Sequence, residues 1–237
     1  MLLKLFKTVA IVMILSGTTL FAQDNSTLQP QKWRNNKSIQ SLNFYLPIES
    51  ETWEVGSQKY EWSSLSFQFR WIRYKVDESM LSTVFGLGAG YLTGELKEKF
   101  LKTNVDMGGL DFNIKFGLGA APISNKLIIA LHAILVADVK LVEGETTNEN
   151  RTINKKGKYH PSAIYVNAMI GGDFIVGYQF FETIGVIAGV DITTNAFGIG
   201  AYSREPKKAS KASKATQLHY VFSGLNIIPH LGVFFAF

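Results

Sequence analysis

The chain has 237 residues, a formal net charge of +5 and a charged fraction of 18%, below the roughly 25% usual for soluble proteins. It contains no cysteine, which excludes disulfides, thiolate metal sites, a cysteine nucleophile and the lipid-bearing cysteine of a bacterial lipoprotein. Aromatic residues make up 13% of the chain, yet the mean hydropathy is only +0.09. Apolar and polar residues must therefore be interleaved, which argues against a disordered chain and points to strands.

The first 22 residues have the organisation of a secretory signal peptide. Lys4 and Lys7 precede an apolar stretch from Val9 to Leu15, and a further seven residues lead to Ala22. The apolar stretch is well short of the roughly 18 residues that a spanning helix needs, so a membrane anchor is the weaker alternative. We predict cleavage after Ala22, export from the cytoplasm, and a flexible periplasmic segment over residues 23–37.

From residue 38 onward, apolar and polar residues alternate at period two, which predicts β-strands. The clearest run is Leu110–Ala120, where Asp111, Asn113 and Lys115 lie on the face opposite the apolar residues. The same rule predicts eight strands, whose apolar faces span residues 42–48, 65–71, 83–91, 110–120, 127–139, 164–178, 184–192 and 225–237.

The uncharged segment from Ala215 to Phe237 could instead be a tail-anchored helix. Period two fits it better than period 3.6, since glycine and proline residues interrupt it. We therefore retain it as the eighth strand.

The predicted connections alternate in length. Three are tight, at Asp77–Met80, Pro122–Lys126 and Phe181–Thr183. The others are long and polar, at Glu49–Lys59, Glu95–Asp106, Glu143–Pro161 and Ser203–Thr216. This asymmetry is typical of an up-and-down barrel whose long loops face the cell exterior and whose turns face the periplasm.

A soluble barrel of the lipocalin type would also alternate, with its polar residues facing water. Here the face opposite the apolar residues is rich in glycine, which suits a crowded interior better than a solvated surface. The glycines of this face are Gly86, Gly88, Gly90, Gly117, Gly119, Gly171, Gly185 and Gly189.

At its C-terminal end the chain has apolar residues at every second position, Leu231, Val233, Phe235 and Phe237. In this it resembles bacterial outer-membrane β-barrel proteins, whose final strand ends in an aromatic residue and is read by the outer-membrane assembly machinery. The architecture resembles that of the small barrels of the OmpX, OmpW and OmpA transmembrane-domain type.

The resemblance implies an all-β fold, an eight-stranded antiparallel up-and-down transmembrane β-barrel over residues 38–237, located in the bacterial outer membrane. It also implies that outer-membrane lipids and the assembly machinery are partners. The assembly signal would then consist of the alternating residues Leu231, Val233, Phe235 and Phe237.

No catalytic, metal-binding or cofactor-binding pattern stands out. The four histidines, His132, His160, His219 and His230, lack metal-ligand spacing. Glycine pairs such as Gly108–Gly109 fall inside strands rather than at a phosphate-binding loop. We therefore expect a protein that is not an enzyme, has no cofactor or metal and binds no nucleic acid.

A short basic repeat in the last long loop contains Lys207, Lys208, Lys211 and Lys214. With Arg204 and Glu205, these lysines give the loop a net charge of +4. The loop is either simply solvated or a binding site for an anionic surface or host polymer.

A charged layer is predicted inside the barrel. Counted upward from the tight turns, the inward residues Arg70, Lys115, Asp173 and Asp191 all lie about eight or nine residues high, and His132 lies close to that level. We expect these charges to pair, with Arg70 reaching the two carboxylates because glycines of the next strand leave room for it.

An eight-stranded barrel is just wide enough for side chains to fill, so this layer would plug the lumen. A merely solvated set of polar residues is the alternative. The predicted function is a structural or surface-interaction role with a largely plugged lumen, and a narrow channel for small solutes is the second candidate.

Overall fold

The computed structural model describes residues 37–77, 79–98, 103–124, 126–144, 146–148, 157–206 and 216–237. The predicted signal peptide, most of the segment 23–37 and the basic repeat at 207–214 lie outside these ranges. The strands are β1 (Lys37–Tyr45), β2 (Ile48–Val55), β3 (Gln58–Val76), β4 (Leu81–Glu98), β5 (Thr103–Ala120), β6 (Ile123–Ser124), β7 (Leu127–Gly144), β8 (Thr146–Asn148), β9 (Gly157–Gln179), β10 (Ile184–Pro206) and β11 (Thr216–Ala236).

The strands form an antiparallel sheet that closes into a ring. Pairing runs from β1 through β3, β4, β5, β7, β9 and β10 to β11, and β11 pairs with β1. At this last junction Ser38 and Phe237 exchange backbone hydrogen bonds of 3.2 and 2.9 Å. The predicted all-β antiparallel class is confirmed. Among the described residues, no helix is long and apolar enough to cross a membrane.

The described residues form eleven strands, whereas the sequence predicted eight. Leu46 and Pro47 separate β1 from β2, although both strands lie between β3 and β11. Proline has no backbone N–H to donate, which favours a break in the strand at this point. The two-residue strand β6 pairs with β7, and the three-residue strand β8 pairs with β9.

The three predicted tight turns are confirmed, and together they define one end of the ring. β3 ends at Val76 and β4 begins at Leu81, while β9 ends at Gln179 and β10 begins at Ile184. Between β5 and β7 the chain turns within residues 121–126. We call this the turn end and the opposite end the loop end.

In the half of the ring toward the turn end, called the lower section, apolar side chains cover the outside. The interior there holds charged and polar side chains together with buried apolar ones such as Ile72, Val84 and Phe234. Burial alternates residue by residue along β7. Leu135 is 48% exposed on the outer surface, whereas Lys115 and Asp191 are buried inside. This is the opposite of a lipocalin-type barrel, which was the soluble alternative.

The prediction of a long loop at Glu49–Lys59 is wrong. These residues form β2, the start of β3 and a tight turn at Gly56–Ser57, where Gly56 has a φ of +62°. That left-handed conformation is one that glycine adopts without steric cost. The strand was hidden in the sequence because Glu49 and Glu51 face inward while the alternating outward residues are also polar.

The other three predicted loops are also shorter than expected, because the strands continue into them. β4 extends to Glu98, β5 starts at Thr103, β7 reaches Gly144 and β10 reaches Pro206. The ring therefore continues well beyond the apolar outer surface. We call this continuation the upper section.

The upper section has its own apolar core inside the ring. Trp53 stacks on Trp62 with ring centroids 5.1 Å apart, and Tyr165 meets Trp53 edge-on at 5.0 Å. Outside, Glu54 and Lys59 pair across the β2–β3 hairpin at 3.0 Å. The core consists of Trp53, Val55, Tyr60, Trp62, Leu92, Leu96, Val105, Met107, Val142, Ala163, Tyr165, Tyr202 and Leu218.

Candidate functional site in the interior of the ring

The five residues predicted to form a charged layer are brought together in the lower section. Lys115 lies between the two aspartates: its Nζ is 2.9 Å from Asp173 Oδ2, and 2.8 and 3.0 Å from the two carboxylate oxygens of Asp191. All three side chains have no solvent exposure. We call Arg70, Lys115, His132, Asp173 and Asp191 the lower charged layer.

From the sequence we expected Arg70 to bridge the two aspartates, but Lys115 bridges them instead. Arg70 Nη1 is 3.6 Å from Asp191 Oδ2, while its Nε and Nη2 donate to Gln68 Oε1 at 2.8 and 2.6 Å. Its guanidinium also lies 4.2 Å above the ring of Tyr45, a cation–π arrangement. Gln68 and Tyr45 therefore hold Arg70 at the edge of the layer, and Lys115 takes the central position.

Two histidines complete the layer. His132 Nδ1 is 3.6 Å from Asp173 Oδ2, and its Nε2 is 3.0 Å from Ser82 Oγ. His230, which was not predicted to join the layer, has its Nε2 3.5 Å from Asp173 and 3.6 Å from Asp191, and it stacks on Tyr45 with ring centroids 4.4 Å apart.

Glycine on β4 makes room for Arg70, as the sequence indicated. A Cβ at Gly88 would lie 2.5 Å from Arg70 Cγ and 2.6 Å from Asn113 Oδ1. Any side chain there would displace one of them. The strands β3, β5, β7, β9 and β10 supply the five side chains of the layer, and Gly88 on β4 supplies the space beside Arg70.

A second buried cluster lies above this layer and was not predicted. Lys140 is hydrogen-bonded to Glu49, and its Nζ lies 3.3 Å from Asp138 and 3.6 Å from Glu51. Glu51 also accepts a hydrogen bond of 2.9 Å from the Trp53 indole. With Asp111, these residues form the upper charged cluster.

Gln68 links the two sets of charges. Its side-chain oxygen accepts the hydrogen bonds of Arg70 and a 3.1 Å bond from Asn113, while its amide nitrogen donates to Asp111. Ser66 also donates to Asp111, at 3.4 Å. Gln68 therefore connects Arg70 of the lower charged layer with Asp111 of the upper charged cluster.

Acidic side chains outnumber basic ones in this interior. Among the described residues, the buried charged side chains are six carboxylates and three cations: Glu49, Glu51, Asp111, Asp138, Asp173, Asp191, Arg70, Lys115 and Lys140. The lower charged layer pairs two cations with two carboxylates. The excess of acid lies in the upper charged cluster, where one lysine faces four carboxyl groups.

Part of the upper charged cluster carried a signal in the sequence. Asp111 lies at an inward position of the clearest predicted strand, and Lys140 continues the inward parity of β7. Glu49 and Glu51 carried no such signal, because their segment has the polar composition of a loop.

Asp173, Asp191 and His230 have ligand atoms within 4.8 Å of one another, a spacing that could hold a metal ion. The ammonium group of Lys115 lies against both carboxylates of this set. A cation is thus already supplied by the chain, and the geometry favours an ion-pair network over a metal site.

The four residues of the predicted assembly signal lie at the end of β11 and face outward. Leu231 and Phe237 are 62% and 73% exposed, and Val233 and Phe235 are also exposed. Their role in assembly stays a prediction.

No protein-family model and no curated protein sequence matches the chain. Among solved structures, it is similar to the outer membrane protein OprG from Pseudomonas aeruginosa, with 9% identity, a TM-score of 0.52, and coverage of 87% of this chain and 98% of OprG. A major outer membrane protein from Thermus thermophilus has 9% identity and a TM-score of 0.38, with 84% and 99% of the two chains covered. The outer membrane protease OmpT from Escherichia coli has 12% identity and a TM-score of 0.28, with 90% and 99% covered.

Of these three similarities, the one to OprG bears on the fold. Together with the closed antiparallel ring and its apolar outer surface, it shows that the chain has the fold of the small bacterial outer-membrane β-barrel proteins. The bacterial outer membrane is the location that belongs to this fold.

Proposed function

We propose that the protein is an integral outer-membrane β-barrel with a plugged lumen and a structural or surface-interaction role rather than a catalytic one. We count β1 and β2 as one interrupted strand, because both lie between β3 and β11. The two short strands β6 and β8 lie beside longer ones. On this count the barrel is eight-stranded and runs up and down.

The observation that carries the plugged lumen is the position of Lys115. It reaches Asp173 on β9 and Asp191 on β10 from β5, with no solvent exposure at any of the three side chains. Buried ion pairs of this kind resist opening, because removing one partner leaves an uncompensated charge, at a cost of about 3–5 kcal/mol. The aromatic core of the upper section supports a second closure in series.

Planar-bilayer recording tests this proposal. We expect the wild-type protein to conduct little, and Arg70→Ala and Lys115→Met to raise the ion conductance and lower the stability of the barrel. Lys75→Ala, which removes an exposed cation from the same strand as Arg70, is the matched control. A wild-type protein that already conducts like an open pore, with Arg70→Ala no different, would refute the plug.

The membrane location has its own test in cell fractionation combined with heat-modifiable gel mobility. We expect the protein in the outer-membrane fraction, with a folded band that shifts on boiling. Recovery as a soluble species would overturn the proposal as a whole.

A narrow channel for small solutes is the second candidate, and the excess of carboxylates in the upper charged cluster favours it. Acidic groups along a lumen select for cations. If the wild-type protein conducts, we expect cation selectivity, and Asp138→Asn should reduce it.

The surface-interaction role would rest on Lys207, Lys208, Lys211 and Lys214. Their charge in a long predicted loop suits an anionic surface or host polymer. Replacing all four lysines by glutamine should weaken the retention of intact cells on immobilised heparin. Equal retention would remove this part of the proposal.

A further inference from the structure

The outer surface of the ring has a cleft of about 430 Å³ across four adjacent strands, β5, β7, β9 and β10. This volume is within the range of roughly 300–1,000 Å³ found for small-ligand sites. Three exposed apolar residues line it, Leu110, Leu141 and Ile164, so the cleft opens outward rather than into the lumen.

Small side chains create the depression. Ala201 is the β10 partner of Ile164, and the next outward residues toward the loop end are Ser162 and Ser203. The two serine hydroxyls are 3.0 Å apart. Larger residues on the neighbouring strands therefore form walls around a floor of alanine and serine.

The cleft crosses the boundary between the apolar outer surface and the polar upper section. Leu110, Leu141 and Ile164 lie on the side toward the turn end, and Glu143 lies with the two serines on the side toward the loop end. A ligand that fits must be apolar at one end and polar at the other. Because the cleft is continuous with the apolar outer surface, the ligand that reaches it is a membrane lipid.

We propose that this cleft binds one acyl chain of a membrane lipid whose headgroup carries an amine. The chain packs on Leu110, Leu141 and Ile164, the serine hydroxyls meet the polar linkage of the lipid, and the ammonium group lies toward the Glu143 carboxylate. This inference rests on the proposed membrane location and adds a specific lipid site to it.

Native mass spectrometry of the full chain in detergent micelles tests the site. The probes are phosphatidylethanolamine and phosphatidylglycerol with identical acyl chains. We expect one phosphatidylethanolamine bound per protein, retained about five-fold more tightly than phosphatidylglycerol, as a single charge contact at a membrane surface would give.

Ala201→Phe should fill the cleft and reduce the bound lipid about ten-fold. Ala188→Phe, at an outward position nearer the other end of the same strand, is the control and should bind lipid like the wild type. Glu143→Gln should remove the preference for the amine while retaining the acyl chain. Ser203→Leu serves as a second filling variant if Ala201→Phe fails to show a heat-modifiable folded band.

Equal retention of the two lipids by the wild type, or equal loss in Ala201→Phe and Ala188→Phe, would overturn the lipid site. If the wild-type protein still fractionates with the outer membrane, either of these results overturns the lipid site alone and does not affect the proposed function. Recovery of the wild type as a soluble species would overturn both.

Discussion

Most strands of the ring run through both the lower and the upper section, but the two sections differ in where their charged and aromatic side chains lie. In the lower section, Leu135 is 48% exposed outside while Lys115 is buried inside. In the upper section, Lys59 is exposed outside while Trp53 and Trp62 are fully buried inside. Along one sheet, the outer surface thus changes from apolar to polar, and the interior changes from one that holds a layer of ion pairs to an aromatic core.

The surroundings of the sheet account for this difference. Where lipid covers the outer surface, apolar side chains gain nothing from facing inward, and the interior can hold ion pairs. Where water covers it, the same strands bury aromatic side chains as a soluble barrel does. We infer that the change in the outer surface between the sections lies at the upper edge of the membrane.

The largest expected effect comes from removing an aromatic side chain of the upper core. Trp62→Ala should lower the free energy of unfolding by about 3–5 kcal/mol, because it leaves a cavity against Trp53. Denaturant unfolding in lipid vesicles measures this. Ser63→Ala, at the adjacent outward position, should change it by less than about 0.5 kcal/mol. Equal effects would mean that the upper section has no independent core.

A charge placed on the outer surface tests the membrane boundary. Leu135→Lys should cost about 2–4 kcal/mol in a bilayer, as expected near the midplane. Ser63→Lys, outward in the upper section, should cost about 0.5 kcal/mol or less. The same vesicle unfolding assay compares them. If both lysines cost the same, the two sections do not differ in their surroundings.

The space beside Arg70 is the next test. Gly88→Ala should lower the stability by about 1–3 kcal/mol, because the new Cβ would meet Arg70 and Asn113. Gly172→Ala is a matched control, since a Cβ there would have its nearest neighbour, the backbone oxygen of His132, at 3.7 Å. Similar stabilities of the two variants would show that the lower charged layer is loosely packed.

The smallest expected effect concerns a turn at the aqueous end of the lower section. Asp77 accepts hydrogen bonds from the Ser79 hydroxyl at 2.7 Å and from the backbone N–H groups of Ser79 and Leu81, both at 2.9 Å. These bonds, that of the Ser79 hydroxyl foremost, hold the pKa of Asp77 below its ordinary value. Because the folded pKa is depressed, the stabilisation is present above the unfolded pKa of about 3.9 and is lost as the pH falls through the folded pKa.

The difference in stability between the wild type and Asp77→Ala should therefore be constant near neutral pH and shrink below about pH 4. Unfolding measured from pH 7 to pH 2 checks this. Glu182→Ala, at another tight turn, is the control. A difference that does not depend on pH would show that the turn gains nothing from the ionised carboxylate.

The strands of the lower section could be predicted from the sequence alone. Period-two alternation in segments such as Leu110–Ala120 fixes the strands, because successive side chains of a strand point to opposite faces. The tight turns and the inward charges follow from the same count, which is why Arg70, Lys115, His132, Asp173 and Asp191 could be predicted to lie at one level.

Only the tertiary structure decided which of these charges meet and where the strands end. Lys115 and Asp191 are 76 residues apart in the chain, and Lys140 and Glu49 are 91 apart. Their contact depends on the stagger of strands around the ring and on neighbours such as Gln68, which holds Arg70 away from the centre. The β2 strand could not be recognised for a related reason. Its inward and outward residues are both polar near its start, so the sequence does not show which of them face the interior of the ring.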